Sequence, residues 1–329
     1  MDWAKRLGAS PSSLVRLRGG INNQVFRCSH HHQKWVIKSY APKRQGQRDR
    51  MQAEVDFLRF AEKAAPGFTP ALIQADLEQR CVVLEHLEGE PFPEGVPPCK
   101  SSVDEAVKFF RQLNAEPPQA REWIHLDAAE GFLRLNDHLE NVRERLKCFT
   151  FLHLDPELRQ QAQNLLQQLD RDFAQAEERT NKMINSGMVT DAIDPNERCV
   201  APGDFGFHNA IRTESGTRFI DFEFAGWDDP AKTLVDFLYQ PRVPVPAECS
   251  PLSRAFTPER RISLSQRCDS LRPILRIKWL CIILAVLRPE RLDEISLVTL
   301  ESNKKKLVSE RLSSAETYLK RTSMPFNHQ

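Results

Sequence analysis

Asp204 and Asn209 stand five residues apart in the run Pro202-Gly203-Asp204-Phe205-Gly206-Phe207-His208-Asn209. A turn at Glu214-Ser215-Gly216-Thr217 follows, and then Phe219-Ile220-Asp221-Phe222-Glu223. These residue types match the short list of parts that phosphoryl transfer needs. A carboxylate must receive or orient the attacking hydroxyl, and Asp204 can do this. Mg2+ needs oxygen ligands against the phosphates, and one or two carboxylates with a neutral oxygen suffice. Asp221, expected at the end of the second strand of a hairpin, supplies the charge, and Asn209 the neutral oxygen. A cation must hold the phosphates. Lys38 closes a β-prone run and is the natural phosphate-holding lysine, and Glu54 in the next helical run is placed to pair with it.

Taken singly, each of these residues has a plainer reading. Gly-Asp followed by Asn is most often a turn, because both side chains bond their own backbone. Asp221-Phe222-Glu223 alone reads as a strand edge, Lys38 as a solvated strand lysine and Glu54 as a solvated helix face. The joint order carries the weight: Gly-rich loop, strand Lys, helix Glu, Gly-Asp-x4-Asn, hairpin, Asp.

That order resembles the aminoglycoside phosphotransferase and choline kinase superfamily, small-molecule kinases with a protein-kinase-like fold. Gly-Asp-x4-Asn and Ile-Asp-Phe-Glu are similar to its catalytic and metal motifs. Gly19-Gly20-Ile21-Asn22-Asn23-Gln24-Val25-Phe26-Arg27 is similar to its phosphate-covering loop, and Cys81 to Gly89 to its last sheet strand and hinge. The resemblance spans about residues 15 to 240. It implies ATP and Mg2+ as cofactors, with Asp204 as the base and Asn209 and Asp221 on the metal. It places Lys38, Glu54, Gly20, Asn22, Asn23, Glu85 and Leu87 around the nucleotide, the backbone of Glu85 to Leu87 binding adenine. Glu223, Trp227 and Asp228, just past the metal aspartate, are expected near the acceptor, as is Arg276 on a C-terminal helix. His208 either touches substrate or metal, or packs on its loop. One departure is clear: the superfamily's structural histidine before Gly-Asp is Pro202 here.

The elements needed to position these groups are legible in the pattern. Gln24 to Ser29 and Lys34 to Ser39 are β-prone runs around His30-His31-His32 and suggest a hairpin. The three histidines do not suggest a metal site, since strand neighbours point to opposite faces. Arg50 to Lys63 has helical spacing and ends at Pro66-Gly67. Ala71 to Ala75 and Cys81 to Leu87 read as strands. A Pro-rich stretch, Pro91 to Pro98, marks a boundary. Beyond it Val103–Leu113, Gly131–Cys148, Pro156–Glu178, Pro258–Leu287 (with a break near Pro273) and Pro289–Arg321 read as helices around one β island, Cys199 to Phe224. The expected fold is α+β and protein-kinase-like, with two lobes: a small antiparallel β N-lobe over residues 1–88 and a mainly helical C-lobe over 89–329.

Composition narrows the function classes. Among 329 residues, Lys plus Arg number 46 and Asp plus Glu 45, which gives no global pull toward nucleic acid or a membrane surface. The most apolar stretch, Trp279 to Leu287, is far shorter than the ~20 residues of a membrane span. The eight cysteines show no C-x-x-C pair, and most sit in apolar surroundings. With no apolar leader at Met1-Asp2-Trp3, a reducing, cytoplasmic setting is expected. The expected partner is a small-molecule hydroxyl acceptor: a sugar, an aminoglycoside-like sugar or an amino alcohol. A choline-type acceptor would need an aromatic cage, for which Trp227-Asp228-Asp229 is the one obvious candidate. The alternative is a weak or inactive nucleotide-binding pseudokinase acting on a protein partner, which Pro202 favours and the retained Lys38, Glu54, Asp204, Asn209 and Asp221 oppose.

Overall fold

The structure is a computed structural model that describes residues 2–17, 23–43, 46–151, 154–246, 258–291 and 301–322. In chain order its elements are α1 (Asp2–Arg6), β1 (Val15–Arg16), β2 (Asn23–His30), β3 (Gln33–Tyr40), α2 (Arg50–Ala64), β4 (Leu72–Asp76), β5 (Cys81–Glu85), β6 (Glu90–Pro91), α3 (Lys100–Leu113) and α4 (Pro117–Ala120). There follow α5 (Leu135–Lys147), α6 (Pro156–Asn185), β7 (Cys199–Ala201), β8 (Ala210–Thr213), β9 (Gly216–Phe219), β10 (Gly226–Asp228), α7 (Pro230–Tyr239), α8 (Pro258–Ile283) and α9 (Glu301–Thr322). The chain divides into two compact units. One comprises residues 1–131 and 198–228, the other 132–197 and 229–329.

The first unit is built on a five-stranded antiparallel sheet in the order β1-β2-β3-β5-β4. The histidine triplet forms the hairpin turn between β2 and β3, and His31 takes the left-handed conformation at φ 50°. Alternation sorts the two sheet faces. Cys28, Ile37, Cys81 and Val83 face one way and bury Trp3 and Ala4 of α1. Lys38, one residue after Ile37 and paired in register with Val82, therefore faces the other way, toward α2.

Helix α2 starts where the Asp49 carboxylate accepts the Gln52 N–H at 3.1 Å, an N-cap that satisfies a free donor of the first turn. It buries Met51, Val55, Phe57, Leu58 and Phe60, and with them Glu54. The hairpin β8–β9 is extended by β6 into a three-stranded sheet. It lies over a phenylalanine-rich core: Phe109 of α3 stacks on Phe219 with centroids 5.1 Å apart, and Phe205 meets Phe219 at 5.0 Å. Strand β7 pairs with β10. The island expected between Cys199 and Phe224 is therefore two separate pairings, which period alone cannot reveal.

The second unit is a helical assembly in which α8 packs on α5, α6, α7 and α9. Asp155 and Asp229 cap α6 and α7, each followed by a proline in the first turn, where no intrahelical N–H is required. Helix α8 runs through Pro273 without the expected break. Leu271, Ile274 and Leu275 around it are fully buried, so packing on both sides holds the helix across the missing backbone donor. The expected helix from Pro289 is seen as α9, and residues 292–300 lie outside the described residues. No helix is long and apolar enough to cross a membrane among the described residues. The seven described cysteines are all free, five of them buried; Cys249 lies outside the described residues.

Candidate active site

The first unit gathers Lys38, Glu54, Asp204, Asn209 and Asp221. Lys38 Nζ donates to both carboxylate oxygens of Glu54 at 2.8 Å and to Asp221 Oδ1 at 2.8 Å. Lys38 is 5% exposed and Glu54 1%. Burial works against the Lys38 charge, but the Glu54 and Asp221 carboxylates outweigh it and hold the ammonium above its ordinary pKa. Burial also pushes the Glu54 carboxyl up, opposed by Lys38. Tyr40 completes the group by donating its hydroxyl to Glu54 Oε2. The signal for Tyr40 was present in the sequence, because residues 38 and 40 of one strand share a face.

Asp204 lies in the loop after β7. Gly203 before it has φ +88°, and a Cβ there would stand 2.7 Å from Phe224 Cβ, so the sharp turn requires glycine. Asn209 Nδ2 donates to the Asp204 carbonyl at 3.0 Å and to Asp204 Oδ2 at 3.2 Å. His208 Nε2 lies 3.1 Å from Asp204 Oδ1. The histidine side chain is only 6% exposed, against 38% for Asp204. The His208 ring is thus buried within its own loop, beside the Asp204 carboxylate.

Asp221 stands two residues beyond the end of β9, not at the strand end, and takes a left-handed φ of 69°. Aspartate is among the few residues that tolerate this region. The Ile220 N–H donates to the Asn209 carbonyl at 2.9 Å, which sets the two metal-ligand candidates in register. The donor set fits Mg2+. Asn209 uses its amide nitrogen on Asp204 and leaves its oxygen uncommitted among the described residues, and Asp221 keeps its second oxygen.

Other expected residues fall in varied places. Gly20 and Asn22 lie outside the described residues. Asn23 opens β2, and its Nδ2 donates to Glu223 Oε2 at 2.9 Å, so these two bind each other and Glu223 is buried. The Glu85 carboxylate accepts from Arg218 at 2.8 Å and from the Ala71 N–H at 3.0 Å, and the segment expected as a hinge runs on from it through Leu87. The hinge ends at Gly89, where a Cβ would stand 2.9 Å from Ile211 Cγ2.

Trp227 and Asp228, expected near the acceptor, are folded into β10 against β7. Trp227 is 7% exposed, its indole N–H donates to the Ile124 carbonyl at 2.8 Å, and Arg121 and Arg198 stand over its ring. Asp228 is fully buried. Arg276 bonds within the helical unit, to Thr322 Oγ1 at 2.9 Å and the Leu319 carbonyl at 3.2 Å. Sequence reasoning missed Arg48, whose guanidinium reaches three backbone carbonyls around residues 223–225 and 127. An arginine between a strand and a helix carries no pattern that foretells this.

A family model described as the phosphotransferase enzyme family matches residues 13–257. The chain belongs to that family. Membership makes it a small-molecule phosphotransferase and leaves the acceptor open. Its fold is the protein-kinase-like one of the family's solved structures. Spectinomycin phosphotransferase APH(9)-Ia in its AMP-bound complex superposes with a TM-score of 0.61 at 13% identity, over 96% of this chain and 97% of that one. Choline kinase from Cryptosporidium parvum Iowa II gives a TM-score of 0.54 at 16% identity, over 95% and 90%. A thermostable mutant of aminoglycoside phosphotransferase APH(4)-Ia gives 0.53 at 12%, over 98% and 99%. No curated protein sequence matches the chain significantly.

Proposed function

We propose that this phosphotransferase moves the γ-phosphoryl group of ATP to a hydroxyl of a small molecule, a sugar, aminoglycoside-like sugar or amino alcohol. The observation that carries the reading is the joint placement of Asp204, Asn209 and the Lys38–Glu54–Asp221 triad in one compact unit. Asp204 orients the acceptor hydroxyl and takes its proton; His208 and Asn209 hold one carboxylate oxygen each, so the base enters the reaction already aimed. Lys38 neutralises phosphate charge and is itself held by Glu54. Asn209 and Asp221 would hold Mg2+, which when bound would supply positive charge against the phosphates.

Trp227 is a poor wall for a quaternary ammonium acceptor. Two guanidinium groups already stand over its ring, and a third cation would meet their repulsion.

Thermal-shift measurements with ATP, GTP and ADP, each with and without magnesium, test the donor side on wild type and Asp221→Ala. Binding to the folded state raises the melting temperature by mass action. A magnesium-dependent rise with nucleotide that disappears in Asp221→Ala is expected. The absence of any rise in wild type would defeat the proposal.

A further inference from the structure

Asp221 holds a left-handed backbone, which aspartate tolerates but which its surroundings must still fix. The residues after it, up to β10, have no regular structure to do so. Phe222 is anchored in the core, Glu223 is bonded by Asn23, and the Phe222 and Phe224 carbonyls accept from the Ala225 and Ala129 N–H groups at 3.0 Å each, but the Glu223 and Ala225 carbonyls need other partners. Arg48 supplies them. Its Nε donates to the Glu223 carbonyl at 3.2 Å, Nη2 to the Ala225 carbonyl and Nη1 to the Asp127 carbonyl.

The chemistry of this contact is specific. A guanidinium offers five N–H donors in a rigid planar fork, so one side chain can gather three carbonyls that belong to two separate loops. A lysine is a point charge on a flexible stem and cannot hold all three in that geometry. Arg48 is half-buried and forms no ion pair among the described residues, and burial pushes its pKa down. The nearby Asp127, Asp228 and Glu223 carboxylates oppose that push, while the fork itself is spent on carbonyls. It also sits in the connection between the strand of Lys38 and the helix of Glu54, and Lys38 bonds both Glu54 and Asp221.

We propose that Arg48 is a positioning residue for phosphoryl transfer: by gathering the Glu223, Ala225 and Asp127 carbonyls it sets the backbone that presents Asp221. The proposal rests on reading Asp221 as a magnesium ligand. It requires that losing the fork weaken magnesium use more than nucleotide binding itself.

The test compares full-length wild type, Arg48→Ala and Arg48→Lys in two measurements. The first is amide hydrogen exchange of the nucleotide-free protein. Peptides covering 221–229 should exchange about tenfold faster or more in Arg48→Ala, the scale expected when charge-assisted hydrogen bonds are lost, while peptides of α6 stay unchanged. The second is calorimetric ATP binding as magnesium is titrated. The magnesium midpoint should rise about tenfold or more in Arg48→Ala on the same hydrogen-bond scale, with magnesium-free ATP affinity unchanged and partial recovery when guanidinium ion is added. Arg48→Lys should fall between the two, and it carries the test if the alanine variant does not fold. Unchanged exchange in 221–229 would overturn the proposal. So would faster exchange with an unmoved magnesium midpoint, which would leave Arg48 a merely structural clamp. Failure of wild type itself to bind ATP in a magnesium-dependent way would instead strike the reading of the site, and the inference with it.

Discussion

Phe222 stacks on Phe57 with ring centroids 4.5 Å apart and planes 27° from parallel. The contact joins the residue after Asp221 to the residue one turn beyond Glu54. Two carboxylates that share Lys38 are therefore also linked through the aromatic core beneath them, where Phe57 and Phe222 are both fully buried. A charge arrangement this close depends on the packing that sets its backbone.

Phe57→Ala removes that support. Truncating a buried phenylalanine typically destabilises by about 3–5 kcal/mol through lost transfer energy and the cavity left behind. Denaturant unfolding should show a loss of this size, and Phe57→Leu a smaller one. At temperatures where Phe57→Leu remains folded, its magnesium-dependent nucleotide binding should weaken. Unaltered binding in a measurably destabilised variant would show that the core contact does not set Asp221.

Asp204→Asn should leave Mg-ATP binding close to wild type and lower phosphoryl transfer by roughly 10²–10⁴-fold, the range for a general base. The amide still accepts from His208 on one side, so the loop geometry persists while the base is lost. Single-turnover kinetics with an acceptor found by screening hydroxyl compounds would measure it. Turnover within a few-fold of wild type would remove Asp204 from the base role.

Lys38→Met should weaken turnover strongly and should also raise the apparent pKa of Glu54. Lys38 opposes the upward push that burial exerts on that carboxyl. Without the ammonium, Glu54 is expected to take up a proton at neutral pH instead of remaining an isolated buried anion. Glu54 would then release that proton on unfolding, so the stability of Lys38→Met should fall as pH rises through neutrality, and Lys38→Met/Glu54→Gln should lack that slope. Identical pH profiles would contradict the pairing.

His138 makes an acid-stability prediction for the helical unit. It is buried on α5, bonds the Phe132 carbonyl through Nε2 at 3.1 Å, and its pKa is lowered to about 3 by burial first and then by the nearby Lys232 and Lys278 charges. The unfolded chain, with a histidine pKa near ~6.5, binds more protons than the folded one between that value and about 3. Stability is thus full above the unfolded pKa and declines as pH falls through the window. By pH ~4.5 the loss from this one group should be roughly 2–3 kcal/mol. Urea unfolding at pH ~7 and ~4.5 on wild type and His138→Gln measures it, and an equal acid loss in both would count against a neutral buried His138.

In the same unit Arg267 donates to Asp229 and to the carbonyls of Thr190 at 2.8 Å, Asp191 at 3.2 Å and Leu133 at 3.0 Å. Asp229 is fully buried. Removing one partner strands the other, so Asp229→Ala should destabilise by about 3–5 kcal/mol. The double variant Asp229→Ala/Arg267→Met should cost less than the sum of the singles, as a double-mutant cycle would show.

Local signals in the chain already determined much of this protein. Alternation in Lys34 to Ser39 and the helical spacing of Arg50 to Lys63 set β3 and α2, and with them the faces that bring Lys38 and Glu54 together. Gly-Asp-x4-Asn and Ile-Asp-Phe-Glu marked the site because short-range backbone geometry places Asp204, Asn209 and Asp221. Pairing partners were decided only by the tertiary structure. No periodicity says that β7 joins β10 while β8 joins β6, and that choice buries Trp227 and Asp228. Nor does any local pattern say that Asn23 meets Glu223, 200 residues away, or that Arg48 grips carbonyls 79 to 177 residues distant. The reason is physical: a strand's period and a helix's stripe are local properties of the chain, whereas a hydrogen bond to a backbone carbonyl carries no side-chain signature at the accepting end. The placement of such contacts follows from how the elements within the first unit pack.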